Sequence, residues 1–452
     1  MAAIAELRPG FSGVEDLQLH ACAKDPEFDL LLACCAGPEQ GDRIPSLLSS
    51  PLDWERMLSL VEHHRVVKQV YGKLSGFLHL VPVPFFNALR SRYQDNARNA
   101  LWLTAELVRI VRHLELSGIN AVPYKGPVLA EALYGEVIGR QFSDLDILIP
   151  PADVPKAKAA LLELGYKPGI ELARGQERAY IAAGYEMPFR AASGGNLLEL
   201  HWQILPRFYS IDLNVADLLE RAEEISFNGS TLRTLRAEDL LLVLCVHAAK
   251  HAWVQLSWLC DIAQVAKSRQ LDWNAIRDES RRLGIARIVN LNLLLAHKLL
   301  GGPLPFAIQK SLLGSPKYTQ SNCHSERSEE SAVASNRKSA DSSRQERTSG
   351  MAVLAKDPST NVLADEILRI IEHSAHYDTE SLPYFRMMIR LRERHQDQRR
   401  FLWRLVVTPS VSEWSAVQLP KSLQPLYRLV RLSRLVKRLA SAILMCDENG
   451  SR

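Results

Sequence analysis

An α+β fold is predicted, a small α/β unit flanked by N-terminal and C-terminal helical regions, and three observations predict it. Apolar residues recur at helical spacing up to about residue 116 and again from residue 237. Between these stretches the apolar runs are short and strand-like, at 119–123, 144–149, 185–191 and 197–204. Turn residues separate them, above all Ser193-Gly194-Gly195-Asn196, which reads as a hairpin loop.

Five regions follow in order. In 13–116, Trp54, Met57, Leu58 and Val61, then Val66, Val70 and Leu74, fall on helical faces, with Asp53 as a helix start. In 117–210, a strand at 119–123 is followed by a helix at 126–134, a strand at 144–149 and a helix at 151–164 that ends at Gly165. Region 211–314 regains the helical period, with Glu238-Asp239 near a helix start and Gly284 and Gly301-Gly302-Pro303 as stops. Segment 315–350 is rich in Ser, Glu, Arg and Asn and nearly devoid of large apolar residues, so disorder is expected there and no chemistry is placed on it. Region 351–445 is helical and ends in a basic amphipathic stretch, Arg428, Arg431, Arg434, Lys437 and Arg438 among Leu429, Leu432, Leu435 and Leu439. That pattern fits a solvated helix face, or one that meets an acidic partner or a membrane surface.

With 452 residues, 47% of them hydrophobic, the chain has material for two to three domains with buried cores. The longest apolar runs, 240–246 and 288–296, fall short of the roughly 20 residues that a bilayer span needs. The stretch 1–10 carries Glu6 and no apolar signal core, so a cytoplasmic location is expected. Seven cysteines, an odd number without metal-type spacing, read as reduced thiols. A net charge of +4 is small for this length and argues against long nucleic acid as the partner.

The chemistry concentrates between residues 123 and 202. Asp144 and Asp146 stand two apart on a strand, so both carboxylates point to one side. Such a pair calls for a cation, and hard divalent ions take oxygen ligands of this kind. Glu199 and His201 share one face of 197–201, which lets Glu199 converge as a third acid, the set that a two-metal nucleotidyl transfer needs. Lys125-Gly126 lies where a strand turns into a helix. There, free N–H groups and the lysine charge suit a phosphate, and Pro127 fits the first helical turn.

The run from Lys125-Gly126 through Arg140 and Asp144-Leu145-Asp146 to Glu199-Leu200-His201-Trp202 resembles the nucleotidyltransferase superfamily with the polymerase β type of fold. More narrowly it is similar to the bacterial family of uncharacterised nucleotidyltransferases, over roughly 54–301 and more weakly at the basic C-terminal helix. The resemblance implies a small mixed-sheet core, Asp144 and Asp146 as the metal-binding pair, Glu199 as the third carboxylate, and Lys125-Gly126 as the nucleotide-binding turn. Two departures stand out. Gly126-Pro127 replaces the usual Gly-Ser, and Glu199 stands where Asp is commoner.

A second constellation, His247, Lys250, His251, Trp258 and Asp261, falls on helical spacing and is expected to wall the cleft, with Lys250 contacting phosphate. His247 and His251 also have the spacing of a zinc half-site, without an evident third ligand. Arg140 is open between a surface charge and a role holding the Asp pair or a phosphate; His201, between a structural histidine and a contact.

The expected activity is Mg²⁺- or Mn²⁺-dependent transfer of a nucleoside monophosphate from an NTP such as ATP to a hydroxyl-bearing acceptor, with release of pyrophosphate. Asp144, Asp146 and Glu199 are the catalytic and metal-ligating candidates; Lys125, Gly126, Arg140, His201, His247 and Lys250 are the nucleotide-binding ones. The acceptor stays open between a small molecule, a protein side chain and an RNA end, the last two in the manner of a toxin. The rival reading is a catalytically inactive nucleotide- or partner-binding module with the same fold.

Overall fold

The computed structural model describes residues 25–37, 43–170, 172, 174–192, 197–267, 271–303, 358–373, 377–379, 381–409, 413, 417, 419, 423 and 426–437. The fold is α+β: mostly helical, with one five-stranded mixed sheet and a small hairpin. Segment 315–350, expected to be disordered, lies outside the described residues.

Among the described residues five N-terminal helices come first: Pro26–Cys35, Ile44–Leu48, Trp54–His63, Val67–Leu74 and the 34-residue Val83–Leu116. Asp53 caps the third of them, accepting from the N–H groups of Glu55 and Arg56 at 3.0 Å each. The long helix spans about 50 Å at 1.5 Å per residue. Its first half places Phe85 and Leu89 in one hydrophobic core, and its second half places Leu103, Leu107, Ile110 and Leu114 in another, next to the sheet.

The sheet runs β1 (Val122–Pro123), β2 (Asp144–Leu148), β5 (Leu197–His201), β4 (Glu186–Ala191), β3 (Tyr166–Pro168). Among the described residues β2 and β5 pair in parallel and the other neighbours pair antiparallel. Alternation along the strands separates two chemistries. Leu145, Ile147, Leu198, Leu200, Met187 and Phe189 are fully buried on one face with helix Val154–Glu163 and the long helix. Asp144, Asp146, Glu199, His201 and Glu186 occupy the other. Since β4 pairs with β5, the loop at 193–196 does join a hairpin, although the loop itself is outside the described residues.

Region 211–314 begins differently from expectation. After a short helix, Val215–Glu220, a hairpin, β6 (Glu223–Phe227) with β7 (Ser230–Thr234), precedes the longer helices. Asn228 and Gly229 turn it at φ 47° and 75°, the left-handed pair that a tight hairpin requires. The Thr234 hydroxyl donates to the Pro123 carbonyl at 2.9 Å, seating the hairpin on β1.

Helices Ala237–Lys250, Leu256–Ala266, Trp273–Arg282 and Ala286–Leu300 build the main core, and Gly301 ends the last at φ 63°. Helices Pro358–Glu372, Leu382–Arg390 and His395–Val407 of the C-terminal part buttress it. The Tyr384 hydroxyl donates to the Lys250 carbonyl at 2.8 Å, so this buttress bears on the helix that carries Lys250. Residues 427–437 are helical, and Arg438 and Leu439 lie outside the described residues. Among the described residues no helix is long and apolar enough to cross a membrane. Cys34, Cys35, Cys245 and Cys260 are free thiols; Cys22, Cys323 and Cys446 are outside the described residues.

Candidate active site

Register brings the acids together. Asp146 pairs with Glu199 across the parallel strands β2 and β5, and His201 follows Glu199 by two on the same face. One ligand atom each from Asp146, Glu199 and His201 lies within 4.8 Å of the others, a group able to hold a metal ion. Asp144 shares the face, one pleat before Asp146, but is not part of this tightest group.

His201 stands between the carboxylates. Its Nε2 is 3.0 Å from Asp146 Oδ1 and 3.4 Å from Glu199 Oε2. Its Nδ1 is 3.5 Å from Glu186 Oε2, an electrostatic contact too long for a good hydrogen bond. Burial disfavours the imidazolium, yet the bonds to Asp146 and Glu199 and the charge of Glu186 prevail and raise its pKa to about 9. Lys125 Nζ reaches the same Asp146 Oδ1 at 3.1 Å. Burial opposes ionisation of Asp146 as well, but Lys125 and His201 outweigh it and hold that carboxyl well below the usual range.

Asp144 moves the opposite way. Burial and then the neighbouring Asp146 charge push its pKa up to about 6. Crowded acids of this kind accept a divalent cation because it removes their repulsion. The carboxylate donors of Asp144, Asp146 and Glu199 fit a hard ion such as Mg²⁺ or Mn²⁺; His201 can join only as the neutral ring.

Lys125 also precedes helix Gly126–Tyr134, whose N-terminus has no side-chain cap. Gly126 has φ 58°, and a Cβ there would lie 3.2 Å from the Asp144 carbonyl oxygen. A left-handed, side-chain-free residue is therefore required to press the helix start against the acid-bearing strand. Pro127 removes one N–H from the turn, so a bound phosphate would meet fewer backbone donors.

Arg140 is committed elsewhere. Its Nε and Nη2 each lie 3.0 Å from Asp261 Oδ2, and the Tyr134 hydroxyl donates to Asp261 Oδ1 at 2.9 Å. Its charge still reaches Asp144. The rings of His247, His251 and Trp258 pack with centroids 4.7–5.4 Å apart. Burial, aided by Lys125 at His247 and Lys250 at His251, lowers both histidines, His251 to about 3, so both rings are neutral at pH 7. Lys250 Nζ donates to the Tyr185 hydroxyl at 3.3 Å and sits 4.9 Å above that ring. Tyr185 donates in turn to Glu186 Oε1 at 2.5 Å.

Tyr185 and Glu186 were not singled out in the sequence. Their signal was present as a polar pair opening a strand whose partner carries Glu199 and His201. Only the β4–β5 register, which sets Glu186 opposite His201, makes it readable.

No curated protein matches the chain. A family model described as an uncharacterised nucleotidyltransferase matches residues 50–301, a span that holds every group named above from Lys125 to Asp261. That match covers more than half of the sequence, and the chain belongs to this nucleotidyltransferase family.

Proposed function

We propose that the chain is a metal-dependent nucleotidyltransferase that moves a nucleoside monophosphate from an NTP to a hydroxyl-bearing acceptor. The observation that carries this is the register of Asp146 with Glu199, which places two carboxylates side by side on a face that also bears Asp144. Asp144, Asp146 and Glu199 would hold Mg²⁺ or Mn²⁺, and the ion would supply charge stabilisation at the transferred phosphoryl group. Lys125 and the N-terminus of helix Gly126–Tyr134 would receive phosphate oxygens. The second lysine, Lys250, linked to His201 through Tyr185 and Glu186, would meet the same polyanion, with His247 and Trp258 walling the cleft.

In the reaction the acceptor oxygen bonds to the α-phosphorus. The bond from that phosphorus to the α–β bridging oxygen breaks, and pyrophosphate leaves with the electron pair. The hydroxyl proton would pass to a carboxylate of the site, and Glu199, 26% accessible where Asp146 is 4%, is open to take it. The test is thermal stability with each NTP, with and without Mg²⁺, in the wild type and in Asp144→Asn/Asp146→Asn. A ligand that binds only the folded state raises its stability. A Mg²⁺-dependent rise lost in the double variant supports the reading, and no rise with any NTP refutes it.

One observation favours a second reading, a nucleotide- or partner-binding module without turnover. The imidazole of His201 already bridges Asp146 and Glu199 where a cation would sit. Pyrophosphate release with any acceptor, abolished in Asp146→Asn, excludes that module.

A further inference from the structure

Against the segment that leads into β2, and lined by none of the residues given a role above, is a cavity of about 370 Å³. Its walls are the turn after helix Trp54–His63 at Arg65, the long helix at Asn96 and Asn99, and the Gln141-Phe142-Ser143 run that leads directly into Asp144. The volume lies at the small end of the range for ligand pockets.

Its lining is polar and incompletely satisfied. Asn96 is 7% exposed, and its Nδ2 has no hydrogen-bond partner; the Oε1 of Gln141 is also buried without one. A buried polar atom left unpaired is destabilising, so a ligand that reaches and pairs with both recovers that cost. A hydroxyl donates and accepts, and it therefore serves either orientation of the two amides. Asn99 holds the wall in place by donating to the Phe142 carbonyl at 3.0 Å.

The charges leave one over. Arg92 pairs with Glu62, and Asp95 with Arg98. Among the described residues Arg65 has no ion pair or side-chain hydrogen bond, so its guanidinium remains to meet an anion. Its backbone sits at φ 54°, in the left-handed region that a residue with a side chain seldom adopts. The Arg65 charge also reaches His251, which feels Lys125 and Lys250, so cavity and carboxylate face are in electrostatic reach of each other.

We propose that this cavity is the acceptor subsite and takes a small hydroxyl-rich compound bearing one phosphate or carboxylate group. The assignment rests on the transfer reading above. Arg65 would hold the anionic group, Asn96 and Gln141 would bind hydroxyls, and the route past Ser143 would bring one hydroxyl to Asp144.

Full-length protein with Mg²⁺ and each NTP is assayed for pyrophosphate release against sugar phosphates, sugar acids, the matching neutral sugars and bulk RNA. The expected result is release with an anionic sugar and at least tenfold weaker response to its neutral counterpart; phosphates and acids tested apart identify the group. Arg65→Gln raises the KM for that compound at least tenfold, Gln141→Leu raises it as well, and NTP-induced stabilisation persists in both. The subsite is overturned if RNA alone supports release, if neutral sugars serve equally, if the variants leave KM unchanged, or if no small compound acts while NTP still stabilises. Loss of NTP stabilisation in the wild type itself would instead sink the transfer reading.

Discussion

Arg140 and Asp261, 121 positions apart, form an ion pair in which Nε and Nη2 both lie 3.0 Å from Oδ2, with 11% and 1% of the side chains exposed. The pair ties the segment before β2 to helix Leu256–Ala266 and so fixes the approach of the acid-bearing strand from the helical side. Removing one partner of a buried pair leaves the other charge uncompensated, at about 3–5 kcal/mol, whereas replacing both by apolar residues is often neutral. Asp261→Asn should therefore lower stability in urea by about that amount, and Arg140→Met/Asp261→Leu should recover most of it. A cost below about 1 kcal/mol for Asp261→Asn would show that the pair does not hold the segment.

The crowded acids predict a metal effect that does not depend on turnover. Mn²⁺ binding, followed by electron paramagnetic resonance, should weaken at least tenfold in Asp146→Asn and in Glu199→Gln, within the range seen when groups at a metal site are removed. In catalysis, loss of several kcal/mol of charge stabilisation corresponds to roughly 10²–10³-fold in rate. Unchanged Mn²⁺ affinity in both variants would remove the metal from this site.

Gly126 offers a test of the helix start. A Cβ there faces both the left-handed φ and the Asp144 carbonyl oxygen at 3.2 Å. The φ alone costs about 1–2 kcal/mol for an L-residue. Gly126→Ala should destabilise by at least that much and weaken NTP binding further, because relief of the contact moves Asp144. If NTP-induced stabilisation is untouched in Gly126→Ala, the helix start takes no part in binding.

What the sequence disclosed, and what it hid, follows from range. Period-two alternation is local, so the shared face of Asp144 with Asp146, and of Glu199 with His201, was readable without knowing any partner strand. The helix over Gly126–Tyr134 was equally local, marked by Gly126 and Pro127 at its start. The partners of Arg140 and Lys250 were not, since Asp261 and Tyr185 come from distant elements. His201 as the bridge between acids needed the β2–β5 register. The β6–β7 hairpin is different, because its turn signal, Asn228-Gly229, is local and lies in a region whose dominant period is helical.

His64 makes a pH prediction away from the acids. It is fully buried, its Nδ1 accepts from the Leu256 N–H at 3.2 Å, and burial, with the neighbouring His63, lowers its pKa to about 3. The unfolded chain protonates this ring below about pH 6.5, while the folded one stays neutral down to about pH 3. Between those values the unfolded state binds more protons, so stability falls on acidification by up to about 1.4 kcal/mol per pH unit from this residue. His251 acts in the same direction. His201 acts in the opposite one: its contribution is full below about pH 6.5 and is lost as pH rises through about 9. Comparing His64→Gln with the wild type isolates the single group, because glutamine can still accept from the Leu256 N–H but does not titrate. The variant's stability curve should be shallower between pH 6 and pH 4, and superimposable curves would mean that His64 is not held neutral in the fold.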